Sequence, residues 1–221
     1  VDDRDLVIIV PMLGRLHRIH PLLESIKAAT PRAQVVFGCT PSDRKVIQTL
    51  ERAGQELFTV AHHSTGDYAR KINTGYRLTK RPLIFLGADD LHFHPGWLKA
   101  VIAELAPGIG VVGTNDLGSP RVLAGLHATH SLVTRAYADR YGSLERPGEI
   151  LFEGYVHEYV DDELVGTAKA RSSWAFAKDS HVEHLHPNWH KAPRDPLYDR
   201  QWARMRKSKS LYLQRRRLWE S

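Results

Sequence analysis

A chain of 221 residues with 42% hydrophobic content is long enough for one sizeable core. Its single cysteine, Cys39, excludes an internal disulfide and an all-cysteine zinc site, and no apolar run approaches the roughly 18 residues of a membrane span. The net charge of +6 is uneven: residues 200–221 carry +7 and the remainder −1, so the basicity belongs to the C-terminal segment.

In chain order, Asp2, Asp3 and Asp5 precede an apolar run over 6–13. A secretory signal starts basic, so this opening predicts a cytoplasmic setting. Residues 6–10 predict a buried strand, and Ile19, Leu22, Leu23 and Ile26 mark one face of a helix. A second strand follows over 34–38 and a helix over 43–53, with Asp43 as its N-cap. Strands over 57–60, 83–86 and 110–113 alternate with helices over 67–79 and 96–105. Such repeated units predict an α/β fold with a mostly parallel sheet flanked by helices. Ligands of such sheets sit at the carboxyl ends of strands, so the loops at 11–15, 39–43 and 87–92 should line one crevice. The second half is less regular, with strands over 127–134 and 174–184 and helices over 135–141 and 157–171. The composition shifts near Pro193, which divides a domain over 1–192 from a basic helical tail over 193–221.

The stretch Leu86-Gly87-Ala88-Asp89-Asp90-Leu91-His92 places two carboxylates and an imidazole after a buried strand. Burying Asp89 beside Asp90 without a cation is costly through desolvation and like-charge repulsion. A divalent metal removes that cost; oxygen ligands suit Mg²⁺ or Mn²⁺, and an imidazole favours Mn²⁺. A strand-end turn with two solvated aspartates is the alternative. His181, His184, His186 and His190 crowd together near the end, and His184 and His186 share a face if the segment is extended.

Three motifs in order carry a resemblance. Val7-Ile8-Ile9-Val10-Pro11 with Arg15, Lys71-Ile72-Asn73 before the aspartate motif, and Val160-Asp161-Asp162-Glu163-Leu164 opening a later helix resemble family-two-type, GT-A-fold glycosyltransferases. The resemblance spans about residues 6–190 and implies a Rossmann-like GT-A fold. Residues 1–116 would form the nucleotide-sugar half and 117–192 the acceptor half. It implies that Asp90 binds the metal bridging the donor diphosphate. Asp89 would touch the ribose or a ligand water. Pro11, Leu13, Arg15 and the loop from Thr40 to Asp43 would surround the nucleoside, with Lys71 and Asn73 also on the donor side. A UDP-sugar is the favoured donor. The usual aspartate-x-aspartate reads Asp90-Leu91-His92 here, as in the GT-A enzymes that put GalNAc on polypeptides, which makes His92 a candidate ligand. Enzymes of this type take a last ligand from a C-terminal histidine, here His184 or His186. An inverting transfer needs one base; Asp161 aligns best and Asp162 is the alternative. Both would also suit a helix N-terminus with no catalytic part.

In the tail, Arg200, Arg204 and Lys207 stand at helical spacing, followed by Arg215 and Arg216, with Trp202, Tyr212 and Trp219 interleaved. Basic residues among aromatics suit phosphate contacts and base stacking. Small size and the Leu-His-Phe-His-Pro-Gly-Trp stretch resemble glycosyltransferases encoded by bacteriophages, some of which modify hydroxymethylated pyrimidines of DNA. That implies a modified base in DNA as acceptor and the host cytoplasm as setting. A glycan or lipid acceptor, a nucleotidyltransferase and a non-catalytic nucleic-acid-binding protein remain the other readings.

Overall fold

The computed structural model describes residues 2–144 and 146–220; within 196–204 it describes only the side chains of Tyr198 and Asp199. The β-branched run of β1 (Leu6–Pro11) is buried along its whole length. Leu6, Ile8 and Val10 face one apolar cluster, and Val7 and Ile9 face another. A strand covered on both faces is the reason this run reads as continuously hydrophobic.

On the first face lie α1 (Leu16–Ala29), α2 (Arg44–Arg52) and α4 (Trp97–Ala103), through Ile19, Leu22, Ile26, Val46, Leu50, Trp97 and Val101. The second face is covered by α3 (Asp67–Leu78), α6 (Arg135–Tyr141) and α7 (Val160–Ala170). The remaining strands are β2 (Gln34–Cys39), β3 (Glu56–Thr59), β4 (Leu83–Leu86), β5 (Leu91–Phe93), β6 (Val111–Asn115), β7 (Ser131–Thr134) and β8 (Trp174–His184). Among the described residues they form one eight-stranded sheet in the order β3-β2-β1-β4-β7-β6-β8-β5.

The first four strands of that order are parallel, as their strand–helix units require. The reading of the second half needs adjustment. β7 runs antiparallel to both β4 and β6, and β5 antiparallel to β8. β7 starts at Ser131 rather than 127, which leaves His127 and His130 in the approach to the strand. α7 starts at Val160 rather than 157, because Tyr159 takes a left-handed backbone (φ 72°) that ends helical continuation toward the N-terminus. Asp43 does stand at the N-cap of α2, but its side chain makes no capping bond. The tail is helical, α8 (Pro196–Arg216), and among the described residues no helix is long and apolar enough to cross a membrane.

Candidate active site

At the carboxyl end of β4 the chain must pass close to β1. Gly87 donates its N–H to the Ile9 carbonyl at 2.9 Å, and a Cβ at Gly87 would meet that oxygen at 2.8 Å. Glycine is therefore required where the aspartate motif leaves the sheet. Asp89 and Asp90 follow, both only 5% exposed. The cation between them is Arg15, from the loop after β1: its Nη1 lies 2.9 Å from Asp89 Oδ1 and 3.3 Å from Asp90 Oδ2, and its Nε donates to Asp195 at 2.9 Å. The like-charge argument on these aspartates thus holds, but a side chain from 75 positions away supplies the positive charge.

Asp90 is the centre of this network. The Tyr198 hydroxyl donates to its Oδ2 at 2.7 Å, and His184 Nε2 lies 3.4 Å from its Oδ1. The Arg15 guanidinium also sits 4.4 Å above the Tyr198 ring. Burial alone would raise the Asp90 carboxyl, but His184, Arg15 and Tyr198 hold it far below the carboxylate range. Burial and the neighbouring Asp90 charge push Asp89 up instead, to about 7. One of its oxygens, Oδ2, is buried without a hydrogen-bond partner among the described residues. Burial would lower His184, yet Asp90 raises it.

Asp161 and Asp162 open α7. His127 Nε2 lies 3.1 Å from Asp161 Oδ2, and Arg121 donates to Asp162 at 2.7 Å. Against the cost of burial, the hydrogen bond and charge of His127 lower Asp161, and Asp161 raises His127. Asp162 is pushed up by burial and by Asp161. Ligand-type atoms of His127, Asp161 and Asp162 all lie within 4.8 Å of one another, and among the described residues this is the one trio so arranged.

Other sequence candidates fall elsewhere. Asp90, His92, His184 and His186 do not converge as a set. His92 pairs with Glu183 across β5 and β8, and its ring packs on His94, which itself bonds Glu183 at 3.0 Å. His186 Nδ1 accepts from the Asn188 N–H at 3.1 Å, while its ring packs on His184 and Tyr198. Lys71 is fully buried, and its ammonium spends all three donors on the Met12 carbonyl, Thr40 Oγ1 and Asp67 Oδ2. It braces the ends of β1 and β2 rather than meeting a donor, and Thr40 is its partner. Asn73 is equally buried and binds the backbone of Ile150 and Leu151, so it holds the 150–153 segment and not a nucleotide. Pro11 ends β1 in the core, and Leu13 and Asp43 are half-buried.

In the tail, Arg215 is not available to a polyanion. It makes a bidentate ion pair with buried Glu163 at 2.7 and 2.6 Å, and Tyr155 donates to the same carboxylate. Arg216 pairs with Glu220 at the surface, and Lys207 is exposed. The side chains of Arg200 and Arg204 lie outside the described residues. The sequence reading named none of Arg121, His127, Asp195 and Tyr198 as a site residue. No spacing signal links Arg121 or His127 to α7, since segment 117–130, with the short helix α5 (Pro120–Leu123) that carries Arg121, is brought there only by tertiary packing.

No protein-family model and no curated protein matches this sequence. Solved structures do. A mannosyltransferase from Pyrobaculum calidifontis, in complex with GDP-mannose and Mn²⁺, superposes with a TM-score of 0.59 at 16% identity, covering 86% of this chain and 61% of that one. The chain thus spans about three fifths of that transferase. Glucosyl-3-phosphoglycerate synthase from Mycobacterium tuberculosis, with Mn²⁺, UDP-glucose and phosphoglyceric acid, superposes with a TM-score of 0.65 at 13% identity, covering 96% and 79%. The chain has the α/β fold of these GT-A glycosyltransferases.

Proposed function

We propose that this chain is a metal-dependent glycosyltransferase that moves a sugar from a nucleotide-sugar donor to a hydroxyl acceptor with inversion. The observation that carries this reading is the pairing of Asp90, just after β4, with His184, at the end of β8, in a chain that also carries Asp161 at the start of α7. The carboxylate and imidazole donor atoms, 3.4 Å apart, are of the kinds that bind a divalent ion. Asp90 and His184 would hold it, and bound metal would stabilise charge on the departing diphosphate. The two structural neighbours carry Mn²⁺ with UDP-glucose or GDP-mannose, which supports the same ligand class here.

Asp161 is the base in this reading. It takes the acceptor hydroxyl's proton as the acceptor oxygen bonds the anomeric carbon and the carbon–phosphate oxygen bond breaks. His127 holds Asp161 ionised and fixes its orientation. Asp162 is committed to Arg121, which favours Asp161 of the two. Leu13 and Asp43 would line the nucleoside side, with Pro11 buried behind them. A nucleotidyltransferase would place a glycine-rich phosphate loop where Pro11-Met12-Leu13-Gly14-Arg15 stands.

For the acceptor, the reading favours a hydroxymethylated pyrimidine of DNA, with a phage context. Arg206, Lys207, Lys209, Arg216 and Arg217 are exposed on or just beyond α8, the helix whose first turn touches Asp90 through Tyr198. Exposed Leu213 and Leu218 among these charges support a second reading, an acceptor on an anionic lipid surface.

Thermal-shift titration with UDP- and GDP-sugars, with and without Mn²⁺, tests the donor site. A shift with one nucleoside class, only with metal and lost in Asp90→Asn, is expected. Transfer to hydroxymethylcytosine DNA but not to plain DNA would then support the acceptor. No shift with any donor would move the function to binding through α8.

A further inference from the structure

His127, Asp161 and Asp162 come together from separate parts of the fold: the two carboxylates open α7, and His127 follows α5. Ligand-type atoms of the three lie within 4.8 Å of one another, and His127 Nε2 stands 3.1 Å from Asp161 Oδ2. The histidine is 4% exposed. Outside the trio its ring has no hydrogen-bond partner among the described residues, since Nδ1 is buried unpartnered. The backbone before it is tied to α7: Lys169, near the far end of that helix, donates to the Leu126 carbonyl at 2.7 Å, and the Leu126 N–H donates to the Arg121 carbonyl at 2.9 Å. A helix start by itself suits two carboxylates. It does not account for a buried imidazole directed at them and satisfied by nothing else.

One imidazole and two carboxylates are a donor set for Zn²⁺ and its first-row neighbours. Zinc bonds of roughly 2.0–2.2 Å at a tetrahedral centre put ligand atoms about 3.3–3.6 Å apart. His127 and Asp161 already stand close to that spacing. Asp162 is engaged instead by Arg121, which donates to it at 2.7 Å. The Arg121 side chain is 59% exposed, so water can take over its guanidinium at little cost. The side chains of Asp161 and Asp162 keep 27% and 12% exposure, which leaves an ion an approach from solvent. We propose that His127, Asp161 and Asp162 form a second divalent-cation site, of the zinc class, in which the ion exchanges with Arg121. It is separate from the Asp90–His184 pair and stands on its own geometry. An ion there engages the carboxylate that the proposed transfer uses as base, so a filled site and proton removal by Asp161 exclude one another.

The test is calorimetry of Zn²⁺ alone into nucleotide-free protein. Asp90→Asn removes the ligand proposed for the donor-side ion, and this variant should still bind Zn²⁺. Adding His127→Ala should weaken that binding about tenfold or more. Arg121→Ala acts in the other direction: with its competitor gone, Asp162 should hold the ion several-fold more tightly. Should the His127 variant fold poorly, Asp162→Asn replaces it, since the amide keeps the carboxylate's shape and an acceptor for Arg121; it should weaken binding by a similar factor. Zn²⁺ binding in Asp90→Asn that neither His127→Ala nor Asp162→Asn weakens would overturn the site. Affinity unchanged or lowered by Arg121→Ala would overturn the exchange of cations. Absence of Zn²⁺ binding in Asp90→Asn would also overturn the site, whether or not wild type binds Mn²⁺ with a sugar nucleotide, so the donor-site reading stands or falls separately.

Discussion

Arg15 shows how one side chain can settle the state of a site. Two buried aspartates share its guanidinium, and a hydrogen bond to Asp195 adds to its hold. Removing one partner of a buried charge cluster leaves the others uncompensated, at a cost of about 3–5 kcal/mol. Arg15→Ala should therefore melt well below wild type at neutral pH. Without the guanidinium both carboxyls titrate higher, so the deficit should shrink as pH falls, and it should shrink on adding Mn²⁺. A melting temperature equal to wild type at neutral pH would mean that Arg15 compensates nothing.

The His127–Asp161 pair makes a second residue-scale prediction. His127 is raised above its ordinary value by Asp161. Its ion-pair contribution is then complete below about pH 6.5 and fades as pH rises through the folded-state value. Asp161 is depressed, so the same contribution is lost again in strong acid, as pH falls through its folded value. Asp161→Asn should thus cost about 1–2 kcal/mol near pH 6 and less near pH 9. Urea melts of both proteins at the two pH values measure the difference, and a gap independent of pH would show that the pair is not ionic.

At the scale of elements, α8 is tied to the domain at both ends. Tyr198 reaches Asp90, Ser208 Oγ accepts from the Val156 N–H at 3.2 Å, and Arg215 binds Glu163. Tyr212 stacks on Tyr159 beside the start of α7. Arg215→Ala leaves buried Glu163 unpaired and should lower stability by about 3–5 kcal/mol. Arg216→Ala, one position on, breaks a surface pair and should stay within about 0.5 kcal/mol. Equal effects in denaturant melts would contradict the packing of α8 on α7. Most of the elements themselves were legible, because period-2 and period-3.6 patterns survive in buried strands and one-sided helices. β5 was not, since a three-residue strand that starts inside the aspartate motif carries no period, and neither were the starts of β7 and α7, which depend on turn geometry.

Across the whole molecule, charge is concentrated on one helix, with a near-neutral body. If that helix tracks a phosphate backbone, Arg206→Ala, Lys207→Ala and Arg217→Ala should each lower the log–log salt slope of DNA binding by about 1. Arg215→Ala should change stability and leave that slope alone. Slopes unchanged in all four, measured by fluorescence anisotropy over a salt series, would remove nucleic acid as the partner of this face.

The sequence by itself determined the alternation of strands and helices, because local periodicity is written in short windows. It could not tell which polar residues turn inward to hold the scaffold. Lys71 and Asn73 sit in a motif that reads as donor-facing, yet each is saturated by backbone and neighbouring side chains. Only the tertiary structure decided that Arg15 neutralises the aspartates, that His127 grips Asp161 and that Arg215 is structural. Those pairings join positions 34 to 75 residues apart, and the packing of distant elements, not spacing along the chain, sets which charges meet.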